Sequence, residues 1–134
     1  MARAVTFEHG VFPLTGARTR LEYGEQSLAL PTRVNLRVVR LADGAVAGSV
    51  TLEVQAGALI IQALCIESGF RSYGLGSECG ALLRGLAERG SWTLLRAWAA
   101  PGLGLSAYFW TRMGLHPIHG EGPEGGIWFE RTVR

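Results

Sequence analysis

The chain has 134 residues, of which 48% are hydrophobic and 18% are charged. This size and composition predict one compact domain with a sizeable apolar core, and they exclude a disordered chain. No apolar run reaches the roughly 18 residues that a transmembrane helix needs. The start of the chain, MARAVTFEHG, lacks the apolar stretch and the cleavage site of a secretory signal. We therefore expect a cytoplasmic protein with no membrane partner.

The ionisable residues limit the classes of ligand. There are 13 basic residues, all of them Arg, and 11 acidic ones, and they are scattered along the chain. Scattered charge argues against nucleic acid as a partner but permits one small anionic ligand. Cys65 and Cys79 lie in apolar patterns, which favours buried free thiols over a disulfide. Two Cys and three dispersed His do not have the spacing of metal ligands, so we expect no metal.

Turn residues and apolar periodicity predict the first elements in chain order. Residues 5–9 are expected to form an edge strand, and Leu14, Ala17 and Leu21 one face of a short helix that follows Thr15. A β-branched run at 34–41 and an alternating run at 46–55 flank the turn dipeptide Asp43-Gly44, which is typical of an antiparallel hairpin. The almost unbroken apolar run ALIIQALCI, residues 58–66, predicts a central strand that is covered on both faces.

The second half of the chain predicts alternating helices and strands. A first helix ends at Gly90, and its apolar positions recur at helical spacing: Leu75, Cys79, Leu82, Leu83 and Leu86. The elements that follow are a strand at 92–98, a helix at 103–113 and two closing strands at 115–118 and 127–133. This order predicts a single α/β (α+β) domain over residues 1–134.

A glycine loop joins the central strand to the first helix. It reads Arg71-Ser72-Tyr73-Gly74-Leu75-Gly76-Ser77, and its two glycines permit positive φ and leave the backbone open to a ligand. The first N–H groups of a helix lack partners within the helix and lie at the positive end of its dipole, an arrangement that suits a diphosphate. A Walker loop is excluded because the chain has no Lys, and a dinucleotide fingerprint because a hairpin precedes the loop.

The Arg-x-x-Gly-x-Gly pattern at this place resembles the acetyl-CoA loop of the GCN5-related N-acetyltransferase (GNAT) superfamily. The later stretch SAYFWTRMGLHPI resembles the family's second signature, an Ala-containing helix that ends in Tyr-x-x-x-Gly-Phe. The resemblance covers residues 34–133. It implies a mixed, mostly antiparallel sheet flanked by helices, with a shortened helical region near the N-terminus. It also implies an N-acetyltransferase that uses acetyl-CoA as co-substrate.

The resemblance assigns roles to individual residues. The pyrophosphate of CoA would be bound by the backbone around Ser72, Tyr73, Gly74, Leu75, Gly76 and Ser77. Arg71 would pair with a phosphate, and the backbone of Leu64 and Ile66 would face the pantetheine arm. Trp110 would stand beside that arm, where the family often has a Tyr that protonates the departing thiolate.

Candidate acid and base residues follow from position. Glu67, just beyond the central strand, is the carboxylate best placed to accept the proton of the amine, with Glu53 on the neighbouring strand as a second candidate. Tyr108 is the phenol nearest to Trp110, although two residues along a helix turn it by about 200°. An indole N–H donates a hydrogen bond but does not transfer a proton at neutral pH, so Trp110 does not supply the general acid that the family has at this position.

The acceptor and the activity have alternatives at this point. Few residues precede Val34, where the family builds its acceptor wall, so the acceptor is either the amine of a small molecule or that of a peptide or protein. Trp110 favours a second hypothesis, a CoA-binding sensor or partner subunit without catalysis. A third is a structural domain whose glycines only turn the chain. The apolar segment IWFERTV could pair at an exposed edge and form a homodimer.

Overall fold

The computed structural model describes residues 12–24, 32–70, 74–90, 92–99, 109–121 and 126–133. Its strands are β1 (Leu14–Thr15), β2 (Thr19–Tyr23), β3 (Arg33–Arg40), β4 (Val46–Gln55), β5 (Ala58–Ile66), β6 (Leu94–Ala99), β7 (His116–Glu121) and β8 (Ile127–Thr132). The main helix, α1, spans Leu75–Arg89 and follows a short 3₁₀ turn at Ser68–Phe70. A second helix, α2, is described at residues 109–112.

The described strands form one sheet in the order β1-β2-β3-β4-β5-β6-β8-β7. Neighbouring strands are antiparallel except β5 and β6, which are parallel and are connected through α1. A parallel pair needs a crossover connection, and α1 supplies it by packing across one face of the sheet. The expected mixed, mostly antiparallel sheet with flanking helices is confirmed.

The core lies between α1 and one face of the sheet. The helix buries the apolar positions that its sequence repeats at helical spacing: Leu75, Cys79, Leu83, Leu86 and Ala87. The sheet presents a matching set of buried side chains: Leu21, Leu36, Val50, Leu52, Leu59, Ile61, Leu95 and Phe129. Each large aliphatic side chain contributes roughly 1.5–3 kcal/mol when it is fully buried. Burial of this one face therefore fixes where α1 sits on the sheet.

The opposite face of the sheet carries polar cross-strand pairs. Glu22 on β2 accepts hydrogen bonds from Arg20 and Arg37, and those from Arg37 and then Arg20 hold the pKa of its carboxyl below the usual range. Arg96 on β6 donates to Glu130 on β8 at 2.9 Å. Alternation of apolar and polar side chains along each strand separates the two faces in this way.

The elements predicted from residue 34 to the end of α1 correspond to observed ones, as do the later strands. Of the helix predicted at 103–113, residues 109–112 are helical, and residues 103–108 lie outside the described residues. The predicted hairpin is β3 and β4, the predicted central strand is β5, and the first helix ends at Arg89 with Gly90 as its C-cap. The strand predicted at 92–98 starts two residues later, and the one predicted at 115–118 extends to Glu121. Among the described residues, no helix has both the length and the apolar character to cross a bilayer.

The short helix predicted after Thr15 is wrong. Residues 14–23 form the strands β1 and β2, in which Leu14 pairs with Leu21 across a tight turn. Leu21 in turn pairs with Val38, so the segment extends the edge of the sheet and buries Leu14 and Leu21, whereas so short a helix is marginal in water by itself. The region expected to be a shortened helical segment therefore extends the sheet where it is described. The edge strand expected at residues 5–9 lies outside the described residues.

The prediction that β5 is covered on both faces holds for half of its length. Ala58–Ile61 are buried, whereas Ala63 and Cys65 are exposed. The prediction of two buried thiols is therefore wrong for Cys65 and confirmed for Cys79, and both cysteines are free as expected. Cys65 is exposed because its side chain points to the opposite face of the sheet from Leu64 and Ile66, which pack against the core.

Candidate functional site

The parallel strands β5 and β6 diverge near the middle of the sheet. Their pairing runs from Ala58 opposite Leu94 to Ile61 opposite Ala97, and within the described residues it stops there. From that point β5 continues to Ile66 beside β4, while β6 continues beside β8. Successive backbone groups of a strand point to alternate sides, so part of the backbone of residues 62–66 faces the gap.

A bulge marks the point of divergence. Leu52 on β4 pairs with Ile61, but the preceding Thr51 pairs with Ala63, which leaves Gln62 as the extra residue of β5. Bulges bend a strand and redirect its side chains. After this one, Leu64 and Ile66 pack against the core, whereas Ala63 and Cys65 face outward.

An apolar cleft of about 130 Å³ lies at this divergence. Its walls are Leu64, Ile66, Gly76, Phe109 and Trp110. Trp110 is 4% exposed, and its ring meets that of Phe109 edge to face at a centroid distance of 4.7 Å. A Cβ at Gly76 would lie 3.6 Å from the Cγ1 atom of Ile66, so the glycine keeps one side of the cleft free of side chain. The cleft suits a narrow, mostly apolar ligand chain.

The amino end of α1 opens beside this cleft. Its N-cap residue, Gly74, has φ 77° and supplies no side-chain hydrogen bond to the first turn. The N–H of Glu78 bonds to the carbonyl of Gly74 at 3.1 Å, and the N–H groups of Leu75, Gly76 and Ser77 precede that first helical bond. They are the donors that a helix leaves open at its positive end. Arg71, Ser72 and Tyr73, to which the sequence also assigned pyrophosphate binding, lie outside the described residues.

The turn between β1 and β2 is attached to the same end of α1. The carboxylate of Glu78 accepts hydrogen bonds from the N–H of Ala17 at 3.1 Å, the N–H of Arg18 at 2.8 Å and the hydroxyl of Thr19. Partial burial raises the pKa of Glu78, but these hydrogen bonds outweigh it, so the pKa is lowered overall. Burial, with the nearby Glu78 charge, raises the pKa of the Cys79 thiol to about 12.

A second and larger cavity, of about 500 Å³, lies on the other side of Leu75. It is lined by Ala17, Arg18, Arg40, Leu41, Ala42 and Leu75. The guanidinium of Arg40 lies 4.6 Å from the ring centroid of Phe70 and donates to both carboxylate oxygens of Asp43. Because Leu75 lines this cavity and Gly76 lines the apolar cleft, the first turn of α1 separates the two.

The two predicted proton acceptors occupy different places. Glu67 is exposed, and its backbone is fixed by an N–H bond to Ala47 and a bond from the N–H of Phe70. Glu53 lies on the polar face of the sheet, where it accepts a hydrogen bond of 2.7 Å from Gln62 at the bulge. Within the described residues, neither carboxylate lines the apolar cleft. Tyr108, the predicted phenol, lies outside the described residues.

Two residues of this region were missed by sequence reasoning. Phe109 lines the apolar cleft beside Trp110. It was missed because its neighbour Tyr108 carries the hydroxyl that a general acid needs. Arg18 lies in a segment interpreted as a helix, and nothing in the linear pattern indicates that its turn reaches α1. Interpreting residues 14–23 as a β-hairpin would have placed Arg18 in a turn, but not against α1.

Several solved structures resemble this chain over most of its length. A GCN5-related N-acetyltransferase from Brucella melitensis has a TM-score of 0.75 and 13% identity, covering 92% of this chain and 79% of its own. The ribosomal-protein-S18-alanine N-acetyltransferase from Escherichia coli has a TM-score of 0.66 and 12% identity, covering 78% and 72%. The PaiA N-acetyltransferase from Thermoplasma acidophilum, solved in complex with coenzyme A, has a TM-score of 0.64 and 13% identity, covering 75% and 61%.

Sequence comparison gives no comparable match. No protein-family model matches the chain, and the comparison with curated proteins found none that matches it. The structural agreement nevertheless extends over nine-tenths of the chain in the Brucella case. The chain therefore has the fold of the GCN5-related N-acetyltransferases.

Proposed function

We propose that the protein transfers the acetyl group of acetyl-CoA to an amine. The observation that carries the proposal is the divergence of β5 from β6 beside the open amino end of α1, with an apolar cleft between them. Acetyl-CoA needs both features, because its phosphates require N–H donors and its acyl arm requires a channel. The coenzyme A complex of the Thermoplasma neighbour supports this choice of ligand.

In this proposal the pantetheine arm enters the cleft between Leu64, Ile66 and Trp110. The pyrophosphate sits on the N–H groups of Leu75, Gly76 and Ser77, together with the loop residues Arg71, Ser72 and Tyr73. Gly74 contributes by its positive φ, which turns the chain into the helix without placing a side chain over the phosphates. No metal takes part in the proposed reaction.

The reaction is a direct displacement. The neutral amine nitrogen attacks the carbonyl carbon of the thioester, a C–N bond forms as the C–S bond breaks, and CoA leaves as its thiolate. A backbone N–H in the gap of β5 would donate to the carbonyl oxygen as negative charge develops there. Holding both reactants in line can lower the barrier by roughly 7–11 kcal/mol, so positioning supplies most of what the reaction needs.

The proton of the attacking amine has to leave, and the proposal assigns its acceptance to Glu67, through water. Glu67 follows directly on the free end of β5 and its side chain is exposed to solvent. Tyr108 is proposed to return a proton to the thiolate, because the indole of Trp110 does not do so. Glu53, fixed by Gln62 at the bulge, is the second carboxylate to test.

The acceptor is proposed to be a peptide or small-molecule amine. Residues 24–32 are all that connects β2 to β3, so the chain has little sequence between its first strands with which to enclose an acceptor. A site open on that side admits an extended peptide terminus as well as a small amine, or a second copy of the chain in a homodimer completes it. A panel of both kinds of amine decides between the two classes of acceptor.

The test begins with ligand binding. Thermal melts are recorded with acetyl-CoA, CoA, ATP and NAD, since a ligand at about 100 times its Kd adds roughly 2.7 kcal/mol to stability. We expect stabilisation by the two CoA species only. Release of free CoA thiol in the presence of the amine panel then measures transfer. Equal stabilisation by ATP and NAD, or none by any ligand, overturns the proposal, and CoA binding without transfer to any amine would leave a sensor instead.

A matched pair of helix glycines provides the control. In Gly76→Leu the Cβ fits at 3.6 Å from Ile66, but the rest of the side chain fills the apolar cleft. In Gly85→Leu, on the same helix away from the cleft, the new side chain meets the end of the flexible Arg89 side chain. Gly85→Leu gains about 1 kcal/mol of helix propensity, and Gly76→Leu, in the first turn, gains less. We expect Gly76→Leu to lose CoA binding while remaining folded, and Gly85→Leu to bind as wild type.

A further inference from the structure

We propose that Arg18, in the turn between β1 and β2, binds the pyrophosphate of CoA, and that Glu78 is the positioning residue that holds it there. This inference rests on the function proposed above, and it extends the phosphate site to a part of the chain that lies far from the glycine loop in sequence. The β1–β2 turn is attached to α1, the Arg18 guanidinium lies over the N-cap of the helix, and the hydrogen-bond donors around it suit an anion.

The carboxylate of Glu78 attaches the β1–β2 turn to α1. Glu78 belongs to the first turn of the helix, and its two carboxylate oxygens receive the N–H groups of Ala17 and Arg18 and the hydroxyl of Thr19. The backbone of Arg18 is fixed from its other side as well, because its carbonyl accepts the N–H of Leu41 at 2.9 Å. The backbone from which the Arg18 side chain extends is thus attached to both the helix and the end of β3.

The guanidinium lies over the N-cap of α1. A Cβ built on Gly74 would lie 2.7 Å from the Nη1 atom of Arg18, so the guanidinium occupies the direction in which a side chain at position 74 would point. Gly74 therefore has two reasons to be glycine: its φ of 77° and the space that Arg18 uses. Arg18 is exposed, so a ligand can reach it from the 500 Å³ cavity that it lines.

The donors at this place suit an anion. The guanidinium of Arg18 and the open N–H groups of the first turn of α1 lie at the same end of the helix, so one diphosphate can pair with both. The carboxylates nearby are engaged by other groups, Glu78 by the three donors of the turn and Asp43 by Arg40.

The experiment compares Arg18→Met with Arg20→Met by calorimetric titration of CoA and of 3′-dephospho-CoA. Arg20 lies two residues further on the same hairpin, on the polar face, where it pairs with Glu22 at 2.7 Å. Loss of a charge-assisted bond to phosphate predicts a Kd that rises about 10- to 100-fold for Arg18→Met, with both ligands, because both carry the pyrophosphate. Arg20→Met should bind as wild type.

Stability separates a binding role from a structural one. Without ligand, we expect Arg18→Met to melt near the wild-type temperature, because the contacts of an exposed side chain contribute little to stability. Glu78→Gln should weaken CoA binding in the same direction but less, since it loosens the turn and keeps Arg18. Unchanged CoA affinity in Arg18→Met overturns the inference. So does a loss of affinity that is seen with CoA but not with 3′-dephospho-CoA. A melting temperature low enough to account for the loss of affinity overturns it as well. If wild type itself binds neither ligand, the proposed function fails instead.

Discussion

Glu78→Gln should destabilise the protein at neutral pH and not in acid. At pH 7 the carboxylate accepts from Ala17, Arg18 and Thr19, whereas a glutamine offers one acceptor oxygen and turns a donor toward donors. Hydrogen bonds to a charged group contribute about 1.5–3 kcal/mol when buried, and Ala17 and Arg18 are exposed, so we expect a loss of about 1–2 kcal/mol. For a chain of this size that lowers Tm by about 4–8 °C.

The pH dependence identifies the charge as the cause. Because the pKa of Glu78 is lowered in the folded protein, its stabilisation is fully present above the unfolded pKa near 4.5 and is lost as the pH falls through the folded value. The Tm difference between wild type and Glu78→Gln should therefore be constant from pH 7 to about pH 5 and should shrink toward pH 3. Differential scanning calorimetry at these pH values measures it directly.

Glu88→Gln is the matched control for this experiment. It makes the same substitution at the other end of α1, where Glu88 meets Arg84 at 3.2 Å in an exposed pair. Such pairs contribute about 0.3–0.5 kcal/mol, so its Tm should stay within about 2 °C of wild type at every pH. A Tm difference for Glu78→Gln that persists unchanged at pH 3, or an equal effect of Glu88→Gln, would refute the assignment of the stabilisation to the Glu78 carboxylate.

The remaining predictions concern the divergent strands and the core. In a thiol-labelling assay at pH 8, Cys65 should react at the rate of an exposed thiol and Cys79 only after denaturation, because burial raises the pKa of Cys79 to about 12; Cys65→Ser should abolish the fast phase. Gly48→Ala should cost more than about 2 kcal/mol in chemical denaturation, since its Cβ would clash with the backbone carbonyl of Cys65, whereas the neighbouring Ser49→Ala should cost less than about 0.5 kcal/mol. Trp110→Ala should cost about 3–5 kcal/mol as a large-to-small change in the core, and a loss below about 1 kcal/mol would show that the indole does not pack as described.

The elements from residue 34 to the end of α1 could be predicted because each carries its signal locally. The hairpin has alternating side chains and a turn dipeptide, β5 has an almost unbroken apolar run, and α1 has apolar residues at helical spacing and a glycine stop. Each of these patterns reports which face is buried without reference to the rest of the chain. The cleft residues Leu64, Ile66 and Trp110 were assigned by the resemblance to the acetyltransferase family and not by these local patterns.

The parts that could not be predicted depend on contacts between distant segments. The segment at Leu14–Tyr23 has apolar residues that fit either period, and only pairing of Leu21 with Val38 decides for a strand. The divergence of β5 from β6 is a property of two strands, and the one polar residue of ALIIQALCI, Gln62, does not by itself indicate where the pairing ends. Glu78 reads as an exposed helix carboxylate until the β1–β2 turn is placed against it.

The N-terminal hairpin and the glycine-rich start of α1 depend on each other. A helix that begins after Gly74, with a further glycine at position 76, lacks a side-chain cap and has low helix propensity in its first turn. In the proposed function the phosphates of CoA require open backbone there, and a capping side chain at the loop would block them. Glu78 provides stabilisation from within the helix instead, because a carboxylate in the first turn opposes the dipole and binds the β1–β2 turn. The hairpin thus supports the amino end of α1 from the side that leaves its N–H groups open.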